Sequence, residues 1–107
     1  MKELLEQGRR PDAVFAANDE MAAAVVMTAN RLGLAVPGDR SVAGFDNTPI
    51  SQTIWPELTT VAQPLEEIAC VAVKMISKTP LNDSGISSAR VLPHELVIRA
   101  LTGPAPQ

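Results

Sequence analysis

Two short polar pairs carry the chemistry open to this sequence: Asn18-Asp19 and Asp46-Asn47, each at the end of an apolar run. A carboxylate accepts hydrogen bonds from hydroxyl and amine groups, and an amide both donates and accepts. Asp46 and Asn18 together suit a polyol such as a sugar, or a purine-like heterocycle. The competing role for all four residues is helix capping, because Asn and Asp oxygens accept from the orphan N–H groups of a first helical turn. Asp19 and Asn47 are read as caps, and Asp46 and Asn18 as ligand contacts.

The elements that must position these pairs are legible around them. Ala13-Val14-Phe15-Ala16-Ala17 and Ser41-Val42-Ala43-Gly44-Phe45 are short continuous apolar runs. Such runs suit parallel strands buried on both faces. A helix from about Glu20 to Leu32 lies between them, ended by Gly33, and Val36-Pro37-Gly38-Asp39 turns into the second strand. This β-α-β grammar predicts a right-handed crossover. Both polar pairs then emerge at one carboxyl edge, where open α/β sheets bind ligands. The expected fold class is α/β: a partial doubly wound parallel sheet with helices on both faces.

The rest of the chain extends this plan. Met1 to Gly8 reads as a short helix with Leu4 and Leu5 inward and Gly8 as its left-handed cap. Thr48-Pro49 leads into a short helix, Ile50 to Ile54, stopped at Trp55-Pro56. Leu58 to Gln63 is β-prone, and Pro64 opens a long helix to about Lys78. Its Leu65, Ile68, Ala69, Ala72, Met75 and Ile76 form one inward stripe. Thr79 to Gly85 is a surface loop. Ala89–Leu92 and Glu95–Arg99 are two short strands separated by Pro93-His94, and residues 103–107 form a tail.

Two apolar surfaces admit two readings. The helix around Met21, Ala22, Ala23 and Ala24 is apolar nearly all round and needs covering on two sides. Either a second layer of the same chain covers it, or a second subunit does. Trp55, the single tryptophan, is either a lid over the core or an interface anchor.

Composition narrows the function classes. The chain has 107 residues, a net charge of −3 and 46% hydrophobic content, which fits one folded domain. Arg9-Arg10 is the one adjacent basic pair, so no basic surface for direct nucleic-acid binding is expected. One cysteine, Cys70, excludes an internal disulfide and reads as a small core residue. A lone histidine, His94, argues against a His-rich metal site and reads as a surface turn residue. No nucleophile elbow, phosphate-binding loop or dinucleotide fingerprint is present. A phosphoacceptor role for Asp46 wants a lysine at a later strand end, and Lys74 and Lys78 lie on a helix. No enzyme activity, cofactor or metal is expected, and without a signal peptide or membrane-spanning run the expected compartment is the cytoplasm.

Four blocks in order resemble the lactose/galactose repressor (LacI/GalR) family of transcription regulators. Pro11–Ala22 resembles its PDAxFAxNDxMA block. Val36-Pro37 with Ser41–Pro49 resembles VPxDxSVxGFDDxP. Leu58–Pro64 resembles the LTTVxQP part of PxLTTVxQP, and Pro93–Arg99 resembles LPxELVxR. Asn47 stands where the family carries a second aspartate, and Leu101 where a serine is common.

The resemblance implies a two-lobed effector domain like that of periplasmic sugar-binding proteins, here incomplete. It makes Asp46 the effector-contacting aspartate, Asn18 a cleft residue, and Gln63 and Leu65 crossover residues lining the cleft. It matches Met21, Ala23, Ile50, Ile54 and Trp55 to a homodimer surface, which favours the interface reading of both apolar patches. Residues 64–78 are expected to belong to the other lobe. Operator DNA is expected to be bound only through an N-terminal helix-turn-helix absent from these residues. Alone, the chain is expected neither to complete a cleft nor to bind operator. The alternatives are a piece of a periplasmic-type sugar-binding protein, or a dimerisation module without a ligand.

Overall fold

A computed structural model of the chain describes residues 3, 6–9, 11–78 and 89–105. Four strands, β1 (Ala13–Phe15), β2 (Ser41–Phe45), β3 (Thr59–Ala62) and β4 (Glu95–Val97), form one sheet in the order β1-β2-β3-β4. The first three are parallel, and β4 runs antiparallel to β3. The helices are α1 (Asp19–Arg31), α2 (Ile50–Thr53) and α3 (Leu65–Lys78). This is the α/β sheet with crossover helices that the sequence predicts.

Local chemistry sets the helix ends. Asn18 adopts an extended backbone and its side chain accepts from Met21 N at 2.8 Å, which caps α1. At the other end Gly33 takes a positive φ of 73°. Leu34 N then donates to Ala29 O and Gly33 N to Asn30 O, the paired bonds of a Schellman stop.

Two compact units result: Met1–Ala62 with Glu95–Gln107, and Gln63–His94. In the first unit α1 packs on the Val42 and Gly44 face of β2. Ala16, Ala22, Val26, Val42, Leu58 and Leu101 make its core. Leu101 comes from the returning chain: Val42 N donates to its carbonyl at 2.8 Å, and its own N–H reaches Glu57 O at 3.0 Å. Its side chain is wholly buried in that core.

Several expectations change. The β1 run was expected to be buried on both faces, yet Phe15 is 65% exposed. β1 is the edge of the described sheet, and Phe15 makes an edge-on ring contact with Phe45, centroids 6.5 Å apart. Residues 89–92 are not a strand. Pro93 has no N–H for a ladder, and β3 is already paired through Thr60–Ala62 with Val97–Glu95. Trp55 is not a lid: it is 85% exposed.

The second unit departs in two respects. The stripe of α3 was expected to face inward, and Leu65, Ile68 and Ile76 are exposed. Cys70, expected in a core, is exposed as well. Among the described residues of that unit no sheet is present for the stripe to cover. The Thr79–Gly85 loop, Leu4 and Leu5 lie outside the described residues.

Candidate ligand site at the carboxyl edge of the sheet

The parallel register of β1 and β2 pairs Ala13 with Ser41, Val14 with Val42 and Phe15 with Ala43. Counted on past the last paired residues, the same sequence offset matches Asn18 with Asp46. Ala16 N extends the ladder by donating to Ala43 O at 2.9 Å. Asp46 N donates to Val61 O at 2.9 Å, which fixes the same edge to β3. Asn18 and Asp46 therefore leave adjacent strands at one end of the sheet. Asn18 spends its side-chain oxygen on the α1 cap, so its amide NH2 is the group it can offer a ligand.

Asp46 and Asn47 both have positive φ, 97° and 53°. Left-handed backbone is disfavoured for residues with a Cβ and tolerated best by Asn and Asp. Such a corner persists where its surroundings hold it. Asn47 N donates to Thr60 Oγ1 at 3.3 Å. The Thr60 hydroxyl donates in turn to Asp19 Oδ1 at 2.5 Å. Asp19 Oδ2 accepts from Thr48 N at 2.7 Å and from the Thr48 hydroxyl at 3.1 Å.

Asp19 is wholly buried and bridges α1, β3 and the segment after β2. It is not the cap it was expected to be; Asn18 is. Gly44 makes room for it. A Cβ there would collide with Asp19 Oδ1 and lie 3.0 Å from Leu58 Cδ2.

Asn47 is likewise no cap. The residue at the start of α2 is Pro49, with no side-chain capping bond. Asn47 Oδ1 instead accepts from Arg99 Nη2 at 2.9 Å and from Ser51 Oγ at 3.4 Å. Arg99 Nη1 donates to Leu58 O at 2.8 Å and Ser51 Oγ at 3.2 Å. Its Nε lies 3.9 Å from the half-exposed Glu57 carboxylate. Thr59 Oγ1 accepts from Arg99 N at 2.9 Å and pairs with Thr102 Oγ1 at 2.8 Å.

Sequence reasoning missed Arg99, Thr60, Ser51 and the true role of Asp19. One signal was available: Thr59-Thr60 places two hydroxyls inside a core strand, and buried hydroxyls require partners.

Gln63 and Leu65 open the second unit and are described with it. The residues matched to a homodimer surface divide. Ala23 is buried within the chain, whereas Met21 and Trp55 are exposed. Ala23, Val26, Met27, Ile50, Ile54 and Trp55 are among the residues lining an open cavity of about 340 Å³ between α1 and α2. Among the described residues, no group of three or more His, Cys, Asp or Glu could hold a metal ion. None of the described helices is long and apolar enough to cross a membrane.

The family model of the periplasmic binding protein-like domain matches residues 1–102. Catabolite control protein A of Priestia megaterium is 39% identical over 102 residues, covering 95% of this chain and 31% of its own length. The chain belongs to the LacI/GalR family of transcription regulators, within its periplasmic-binding-protein-like domain. The lac repressor dimer solved with operator and the anti-inducer ONPF superposes with a TM-score of 0.82 at 31% identity, over 94% of this chain and 35% of that one. A LacI family regulator of Enterococcus faecium solved with bound ribose gives 0.76 at 30% identity, over 98% and 38%. The chain thus spans about a third of the length of these LacI/GalR relatives, which are regulators rather than enzymes.

Proposed function

We propose that this chain senses a small polyol, a sugar, for a LacI/GalR-type regulator and contributes to its dimerisation. The observation that carries the reading is the parallel pairing of β1 with β2, whose carboxyl ends lead to Asn18 and Asp46 at one sheet edge, with Asp46 on a pinned left-handed corner. Asp46 accepts hydrogen bonds from adjacent hydroxyls of the effector, and the Asn18 amide donates. Gln63 and Leu65 are carried as effector contacts by the resemblance alone, and residues 64–78 belong with the other lobe of the family's domain.

Sugar binding draws support from the relatives solved with ribose and with D-xylulofuranose. Operator binding is assigned to the helix-turn-helix that the family carries ahead of this domain, and the regulator works in the cytoplasm. Effector binding then shifts the equilibrium between DNA-competent and DNA-incompetent dimers.

Calorimetry of the whole regulator against pentoses, hexoses and nucleosides tests this. The expected result is one saturable sugar, with Asp46→Ala weakening it by about 100-fold, the loss of charge-assisted hydrogen bonds, while operator binding persists. Undiminished sugar affinity in Asp46→Ala would overturn the assignment of Asp46. Absence of any ligand, with dimerisation intact, would favour a dimerisation module.

A further inference from the structure

We propose that Arg99 is the positioning residue of the Asp46 corner, and that through Ser51 it ties this corner to helix α2. Its guanidinium reaches four groups: Asn47 Oδ1 in the corner, Ser51 Oγ on α2, the Leu58 carbonyl before β3, and the Glu57 carboxylate. These lie 41 to 52 residues away along the chain for the corner, α2 and Leu58. The side chain is 11% exposed, so solvent competes little for its donors.

The corner needs such a hold. Two consecutive non-glycine residues with positive φ store backbone strain that only fixed neighbours retain. Asp19 and Thr60 fix the corner's backbone N–H groups. Arg99 is the cation that holds its side-chain face, at Asn47. A planar fork of donors can serve Asn47 and Ser51 at once, which a lysine ammonium does less well.

Asn47 also gives the clamp a particular strength. A neutral amide accepts a weaker bond from a guanidinium than a carboxylate does. Among the described residues, Arg99 pairs as an ion with Glu57, at 3.9 Å and half exposed, a weak pairing. The corner is thus held by a clamp of intermediate strength. Asp46 is held on its strand side by its N–H to Val61 O, and the clamp acts on it from the other side, through the consecutive left-handed residue Asn47.

The consequence for effector binding rests on the reading of Asp46 above. The positioning role does not, and residue-resolved amide hydrogen exchange of the ligand-free 107-residue chain tests it. In Arg99→Lys and in Asn47→Ala, the amides of Asn47, Thr48 and Ser51 are expected to exchange about tenfold faster relative to Ala22 and Val26 of α1, the value of one charge-assisted hydrogen bond. The double variant is expected to add little beyond either single one, since both remove the same contact. Asn47→Asp is expected to slow the same amides.

Acceleration shared equally by α1 and the corner would overturn the proposal and leave Arg99 a general stabiliser. So would fully additive effects in the double variant. Arg99→Lys is chosen over Arg99→Ala because it keeps the buried charge compensated and the chain folded. A failed sugar titration leaves this result standing, and a uniform exchange pattern leaves the Asp46 reading untouched.

Discussion

The hydroxyl of Thr60 donates to the buried carboxylate of Asp19 across 41 residues of sequence. That bond joins the first turn of α1 to the inner strand β3, and the same carboxylate accepts from the Thr48 amide and hydroxyl. A buried carboxyl group without solvent is retained where donors replace its water. Asp19→Ala strands three donors at once and is expected to cost about 3–5 kcal/mol. Urea unfolding followed by circular dichroism measures it. A loss below about 1 kcal/mol would mean that water replaces the carboxylate, contrary to its complete burial.

Gly44 tests the same contact from the sheet side. An added methyl meets Asp19 Oδ1 first, then Leu58 Cδ2 at 3.0 Å and Asp19 Cα at 3.2 Å. Two of these neighbours are a core side chain and backbone, neither free to withdraw. Gly44→Ala is expected to destabilise by about 1–3 kcal/mol, the range of overpacked cores. Combined with Asp19→Ala the two losses are expected to sum to less than their separate values, because one clash partner is gone. Full additivity, read from the same unfolding curves, would place the strain elsewhere.

Leu101 makes a third case, since it anchors the return of the chain rather than a regular element. It is wholly buried beside Val42 and Leu58, and its backbone bonds both Val42 and Glu57. Leu101→Ala leaves a cavity and is expected to cost about 2–5 kcal/mol. Leu101→Ser is expected to cost at least as much in this chain, because the Val42 and Leu58 side chains offer a hydroxyl no partner.

How far the residues disclose this architecture varies by element. The two apolar runs and the glycine stop of α1 announce the β-α-β unit through backbone preference, although at β1 the burial those runs imply is not met within this chain. Asn18 and Asp46 emerge together because a parallel register transmits sequence spacing directly into space. The Arg99 clamp is different. It joins Asn47, Ser51 and Leu58 to a residue beyond a second structural unit, and no local pattern encodes a contact of that range. The α3 stripe shows a further limit: periodicity identifies an apolar face, whereas what buries the face depends on residues elsewhere. Asp19 was misjudged for a related reason, as capping propensity favours Asn and Asp alike and only the cap geometry separates adjacent candidates.

Trp55 provides the prediction that bears on assembly. Its side chain is 85% exposed at the rim of the cavity formed by α1 and α2, with exposed Met27 among the lining residues. Large aromatics left in water beside an apolar depression are the groups that anchor interfaces. If copies of the chain meet here, Trp55→Ser is expected to weaken self-association about tenfold or more, and Met27→Lys to do so through a buried charge. Both positions are solvent-facing in the single chain, so stability to urea is expected to change by no more than about 0.5 kcal/mol. Sedimentation equilibrium of the parent and both variants separates the two quantities. Association unchanged in both variants would remove this surface from the dimer contact, and a large stability loss would instead restore Trp55 to the core of its own chain.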